Sequence, residues 1–368
     1  MNEWDDSGAL GGRALGGLVR IVADTHRAIT ARVDSFLPPA AKPYNRMHEA
    51  TANVVYALVE TAHEQAPRAA SKLAARSGGQ PTDVGWVRTL QPVVNGFHGD
   101  LVEREHPSLA IPMTARVEGD RTGHLVVFVH GLAEDDRAWA LGGRPTYGQR
   151  LQDAGFTPVF IRYNTGRHIS DNGRELSDLL EALVEEWPQP VESISLVGHS
   201  MGGLVARSAC HVGDAWTEQV RAVVSLGTPH RGAPLEKAVH VLDSVMRAVP
   251  EVAPIGRILA NRSVGVKDLR FGSLVESDWQ GRDVDEFLRN RCEEVPFLPH
   301  VRYYWVAATL TRSPEHPMGR LIGDGMVRLP SATAVQGEGL HLGELGHLEL
   351  LNDDAVFEAL REWLGLDR

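Results

Sequence analysis

Between His124 and Leu226 short apolar runs alternate with amphipathic stretches, and this alternation limits the fold more than any other property of the chain. Leu125-Val126-Val127-Phe128-Val129 is apolar without a break, as expected of a strand buried on both faces. The pattern then predicts a short helix over 146–154, a strand over 157–162 and an amphipathic helix over 172–187. That helix carries Leu176, Leu179, Leu180 and Leu183 on one side, and Pro188 closes it. A strand over 193–197, a helix over 201–211 and a strand over 220–226 follow. The strand 301–307 and a last helix over 356–364 complete the set. Strands that alternate with helices pair in parallel through right-handed crossovers. The expected class is therefore α/β, with a mostly parallel central sheet flanked by helices. In such sheets ligands bind beyond the C-terminal ends of the strands.

One junction in this series carries a nucleophile. Gly198-His199-Ser200-Met201-Gly202 joins the strand 193–197 to the helix 201–211 and fits the Gly-x-Ser-x-Gly elbow. A serine at so sharp a turn sits in a strained backbone conformation, so its flanking residues must be small. The turn lifts the hydroxyl clear of the sheet and leaves N–H groups at a helix N-terminus, where they can face an anion.

The remainder of the chain sets limits on partners and architecture. Hydrophobic residues are 43% and charged residues 23% of 368, ordinary for a globular protein. Lys plus Arg number 37 against 48 Asp plus Glu, a net charge of −11. That balance argues against nucleic acid as a partner and against strong attraction to anionic lipid. Two cysteines, Cys210 and Cys292, do not imply a disulfide framework. The acidic start Met1-Asn2-Glu3-Trp4-Asp5-Asp6 and the lack of a long apolar run give a cytoplasmic protein as the expectation. Residues 8–37 and 48–75 read as helices of an N-terminal extension, residues 1–80, ahead of a main domain over 81–368. Two roles suit this extension: an amphipathic helix for peripheral contact with a lipid or granule surface, or a helical pair packed on the main body or on another subunit. Glycines at 11, 12, 16 and 17 favour the second. Residues 82–123, with Pro92, Gly96, Gly99, Pro107 and Pro112, read as loops between short leading strands. About 233–300 is too long for an ordinary connection and reads as a cap or lid insertion.

A serine hydroxyl needs a histidine base, and the base needs an acid to hold its tautomer. Downstream of the elbow, Asp324 lies in the glycine-flanked Gly323-Asp324-Gly325 and His347 in a loop just ahead of the last helix. Asp278, Asp283 and Asp285 are alternative acids in a charged stretch, and His341 is a rival base. An oxyanion hole needs two N–H donors. Met201, after the nucleophile, and Leu132, in the loop after the strand 125–129, are the candidates. His130, His168 and His230 are candidate pocket residues, His130 also bracing that loop. Glu349 and Asp353 follow His347 closely enough to suggest calcium, but further oxygen ligands are not evident. An acidic first turn suited to the helix dipole is the simpler reading, so neither a metal nor a cofactor is expected. Cys210 reads as a buried apolar residue.

Val-Phe-Val-His-Gly-Leu at 127–132, Gly-His-Ser-Met-Gly-Gly at 198–203, Gly-Thr-Pro-His-Arg-Gly at 227–232, Gly-Asp-Gly-Met-Val at 323–327 and Gly-His-Leu at 346–348 resemble the α/β-hydrolase superfamily. The similarity is to its bacterial lipase and esterase branch, including relatives of the GPI inositol-deacylase domain, and it covers roughly 115–368. It implies hydrolysis of a carboxylic ester through an acyl-enzyme on Ser200, with His347 as base, Asp324 as its orienter, and a small-molecule acyl ester or lipid as substrate. An acyltransferase using the same acyl-enzyme, and a non-catalytic scaffold that assembles through the N-terminal helices into an oligomer, are the competing readings.

Overall fold

The structure is a computed structural model and describes residues 85–105, 107–142, 145–232, 263–281 and 292–366. The expected N-terminal helices over 8–37 and 48–75, most of the insertion over 233–300, and Asp283 and Asp285 lie outside these residues. The described residues fall in two compact units. The first includes α1, Gly85–Glu105, and the 3-10 turn Pro107–Leu109. Over 85–109 the chain is helical where loops and short strands were expected, and a short leading strand of the expected kind stands at Thr114–Val117. Pro92 lies inside the helix, which kinks at His98 (φ −139°, ψ 22°). Two buried amides tie the turn back to the helix. Gln91 Nε2 and Asn95 Nδ2 both donate to the Leu109 carbonyl, at 3.1 and 3.0 Å.

The second unit begins at Ile111. Its sheet contains β1 (Thr114–Val117), β2 (His124–Val129), β3 (Thr157–Arg162), β4 (Ser193–His199), β5 (Val220–Leu226), β6 (Arg302–Thr309) and β7 (Glu338–Gly343). The spatial order is β1-β3-β2-β4-β5-β6-β7. Among the described strands only β1 runs antiparallel, against β3, and every other pairing is parallel. The expected α/β class with a mostly parallel sheet is the observed one.

The alternation of side chains divides the central strands between two cores. Leu125, Val127 and Val129 of β2, with Ile194 and Leu196 of β4, face one layer. That layer is made by α3 (Ile169–Glu185) and α4 (Met201–Val212), which supply Leu176, Leu180, Leu204 and Val205. Val126, Phe128 and Val197 face the other layer, formed by α2 (Tyr147–Asp153) and α8 (Asp354–Trp363), with Tyr147, Leu151, Val356 and Leu360. Among the described residues between α4 and α8 lie three short helices, α5 (Val264–Leu269), α6 (Pro317–Ile322) and α7 (Leu329–Ala332). Each fully buried leucine or valine contributes about 1.5–3 kcal/mol, so the central strands carry most of the sheet's apolar burial. Their C-terminal ends, at Val129, Arg162, His199 and Leu226, therefore rest on a rigid platform.

Within the described part of the insertion, residues 263–281 pack on the segment between β3 and α3. The carboxylate of Asp268 on α5 accepts from Ile169 N–H at 2.9 Å and meets His168 Nδ1 at 3.0 Å. The indole of Trp279 stacks on His168, with centroids 3.8 Å apart, and donates to Ser170 Oγ at 2.9 Å.

Candidate active site

Ser200 joins β4 to α4 with φ 52° and ψ −123°. A non-glycine residue in that region is strained by about 1–3 kcal/mol and persists only where its surroundings enforce it. The enforcement is visible on both sides. A Cβ on Gly198 would lie 2.4 Å from the Gly203 nitrogen, and one on Gly202 would lie 2.0 Å from the Val129 carbonyl oxygen. The strand, turn and helix therefore close on one another with no room for a methyl group. Ser200 N–H donates to the Leu226 carbonyl at 2.8 Å, which anchors the turn to the end of β5.

The same end of β5 meets His347. A Cβ on Gly227 would come within 3.0 Å of two atoms of the His347 ring. His347 opens the 3-10 turn His347–Leu350 and is 5% exposed. Its Nδ1 is 2.7 Å from Asp324 Oδ2, and its backbone N–H donates to the Asp324 carbonyl at 3.1 Å. Asp324 Oδ1 accepts from the N–H groups of Met326 and Val327, at 2.9 and 2.7 Å. Every oxygen of the buried carboxylate is thus in use, as burial requires. His347 Nε2 is buried without a hydrogen-bond partner. With Nδ1–H held by the carboxylate, that nitrogen is the unprotonated one and can accept a proton.

The loop after β2 lies against the serine: a Cβ on Gly131 would stand 3.0 Å from Ser200 Cβ. Gly131 N–H donates to Glu134 Oε2 at 2.7 Å and Ala133 N–H to Thr165 Oγ1 at 3.1 Å. Leu132 N–H, between them, has no acceptor among the described residues, and neither has Met201 N–H at the first position of α4.

His130 is fully buried beneath this loop. Its ring stacks on Tyr163 at 4.4 Å, and the Tyr163 hydroxyl donates to the His130 carbonyl at 2.8 Å. Burial lowers its pKa, against its hydrogen bond to Gly131 O and nearby carboxylates. His168 lies in the contact with Asp268 and Trp279, remote from Ser200 in its bonding. His230 is 8% exposed with Nδ1 3.5 Å from the Arg207 guanidinium. Burial and that cation push its pKa down to about 3. Of the alternatives, His341 lies on β7 with Nε2 against Thr309 Oγ1 at 2.9 Å. Asp278 caps its own loop, accepting from Leu274 and Glu293 N–H. Glu349 accepts from Gly346 N–H and Asp353 caps α8 through Ala355 and Val356 N–H. Among the described residues no cluster of three His, Cys, Asp or Glu side chains has a metal-binding arrangement, and no helix is long and apolar enough to cross a membrane. Cys210 is buried, which raises its thiol to about 12.

Glu134 and His199, which no motif marks in the sequence as a pair, also meet beside Ser200. His199 Nδ1 is 3.2 Å from the Glu134 carboxylate and its Nε2 is 3.2 Å from the His347 carbonyl oxygen. Burial opposes charge on both groups. The mutual attraction and hydrogen bonds outweigh it, so the Glu134 carboxyl is held down at about 2 and the His199 imidazole is raised. The only signal was local: an acidic residue three positions after a loop glycine, placed to reach back to its N–H.

Residues 120–284 match the family described as the PGAP1-like alpha/beta domain. A triacylglycerol lipase of Burkholderia plantarii is 28% identical over 276 residues, which is 74% of this chain and 66% of the lipase. A GPI inositol-deacylase B of Yarrowia lipolytica is 28% identical over 169 residues, 38% of this chain and 17% of that protein. The chain thus spans less than two thirds of the length of these curated relatives. A crystal structure of the Bacillus licheniformis lipase BlEst2 in mature form, 21% identical, superposes with a TM-score of 0.47 over 68% of this chain and 97% of that one. The sheet order and the serine elbow between β4 and α4 are those of an α/β-hydrolase fold, and the chain is similar to proteins of the lipase and esterase branch of that fold.

Proposed function

We propose that this chain hydrolyses carboxylic esters through an acyl-enzyme on Ser200. The observation that carries the reading is the buried Asp324–His347 pair at 2.7 Å, whose ring, with its unpartnered Nε2, packs against Gly227 beside the β5 end that anchors the Ser200 turn. In this reading His347 Nε2 takes the proton as Ser200 Oγ attacks the ester carbonyl. Asp324 keeps Nδ1 protonated and stabilises the imidazolium that forms. The oxyanion is received by the N–H groups of Leu132 and Met201, the second backed by the N-terminus of a twelve-residue helix. Collapse expels the alcohol, which takes the proton back from Nε2. A water molecule then repeats the sequence, and the acid leaves.

The proposed substrate has an apolar acyl part. Leu310, Met326 and Leu348 are 51%, 46% and 53% exposed on the loops that carry Asp324 and His347. Large exposed side chains grouped in this way suit an apolar ligand better than water.

The test is turnover of p-nitrophenyl esters of graded chain length by wild type and Ser200→Ala. The variant should lose at least about 10⁴-fold in kcat while keeping the wild-type circular dichroism. Activity near the wild-type level in Ser200→Ala would refute the assignment. A wild-type preference for two-carbon over longer acyl groups would refute the apolar-substrate reading.

A further inference from the structure

We propose that Glu134 and His199 form a positioning brace that holds the oxyanion loop and the His347 loop in register on either side of Ser200. This proposal rests on the hydrolase reading above. The geometry is that of one carboxylate and one imidazole joined to both loops. Glu134 Oε2 accepts from Gly131 N–H at 2.7 Å, beside the Leu132 donor. The same carboxylate meets His199 Nδ1, with both of its oxygens at 3.2 Å. On the far side of the ring, His199 Nε2 faces the carbonyl oxygen of His347 at 3.2 Å.

Both ring nitrogens of His199 therefore face acceptors. A neutral imidazole has one N–H and one lone pair, so either tautomer would set a lone pair against an oxygen. Only the imidazolium, with two N–H groups, satisfies both contacts. The ring is fully buried, and a buried cation persists only with a counter-charge. Glu134, with its side chain 14% exposed, supplies it. The other groups around the ring agree with this assignment: Asp324 adds a second negative charge, the His347 ring lies 4.8 Å away, and Trp139 presents an edge at 6.4 Å. Glu134 thus acts through three joints. It fixes Gly131, keeps His199 charged, and through His199 fixes the backbone of the base. Neither residue contacts the reacting atoms; both set where those atoms stand.

The neutral isostere Glu134→Gln removes the charge and leaves one oxygen for two donors. Its kcat for p-nitrophenyl butyrate, counted per site titrated with a fluorophosphonate, should fall about tenfold to hundredfold, with KM within about threefold of wild type. The double variant Glu134→Gln/His199→Gln should be no slower than the worse single variant, because both break one unit. A purely structural role would lower thermal stability and leave kcat per titrated site unchanged. The second readout does not depend on activity. In long-range ¹H–¹⁵N spectra of wild type at pH 7, the His199 resonance, assigned by its loss in His199→Gln, should carry the doubly protonated shifts. A neutral His199, or a kcat per site for Glu134→Gln within twofold of wild type, overturns the brace. If wild type shows no esterase turnover while His199 is doubly protonated, the hydrolase reading fails and the charged pair stands.

Discussion

Asp324 and His347 are joined twice, by a 2.7 Å contact between Oδ2 and Nδ1 and by a 3.1 Å bond from the His347 N–H to the Asp324 carbonyl. The first link orients the ring and the second fixes the distance between two loops that follow different strands, β6 and β7. Because the backbone link does not use the carboxylate, the two loops stay docked when the side chain changes, and chemistry can be separated from folding.

Asp324→Asn should therefore lower kcat by about 10³–10⁴-fold with a small change in KM. The amide keeps the shape, but its NH₂ in place of Oδ2 favours the tautomer with the proton on Nε2, where His347 can no longer take the proton that the proposed mechanism assigns to it. Steady-state kinetics on p-nitrophenyl butyrate checks this. A tenfold or smaller loss would mean that another group orients the base.

Gly202 is the tightest point of the elbow. A Cβ there would lie 2.0 Å from the Val129 carbonyl oxygen and 2.6 Å from that of His130. Both are backbone atoms and cannot swing aside, so Gly202→Ala must push the helix away from β2 or distort the loop that carries Leu132. A loss of about 1–3 kcal/mol in urea unfolding is expected, with a fall in esterase activity that persists in the folded fraction. Unchanged stability would show that the helix start can move freely.

Asp268 serves two donors, the buried Ile169 N–H and the part-buried His168 Nδ1, and is itself 2% exposed. Asp268→Ala strands both, at a cost of about 2–4 kcal/mol. Asp268→Asn keeps one acceptor and should cost less. Since this carboxylate is the polar tie between α5 and the start of α3, limited proteolysis of Asp268→Ala should cut first within 263–281. Cleavage elsewhere in the chain at the wild-type rate would contradict that role.

The parts of this fold that were legible in the sequence are those where burial is one-sided in its demands. The strands 157–162 and 220–226 have the bounds expected of them, because an apolar run enclosed on both faces has no other use. The edge strand β7, Glu-Gly-Leu-His-Leu-Gly, was not expected at all. It is half exposed, holds two glycines, and takes its conformation from pairing with β6. In α1, Pro92 and two glycines argue against a helix locally, and the buried amides of Gln91 and Asn95 show contacts that local propensity does not register. Ser200, Asp324 and His347, the residues of the proposed mechanism, each sit in a glycine-flanked turn that is visible in the sequence. The pairing of Glu134 with His199 is not visible there. They are 65 residues apart, and only the parallel register that sets Val129 beside Gly198 brings them together.

The charge on that pair gives stability a definite pH window. The Glu134 carboxyl falls from 4.5 to about 2, because the His199 charge and the Gly131 N–H outweigh its burial. Its contribution is therefore complete above pH 4.5 and is lost as pH falls toward 2, where the folded form also takes up a proton. His199 is raised above 6.5 because Glu134 and the His347 carbonyl outweigh its burial. Its contribution is complete below pH 6.5 and is lost as pH rises through the raised value. The excess stability of wild type over Glu134→Gln should then be greatest between pH 4.5 and 6.5 and shrink on both sides. Urea unfolding at a series of pH values measures it. A difference that keeps growing above pH 6.5 would mean that His199 is neutral in the folded protein and that the two residues meet as a hydrogen bond without charge.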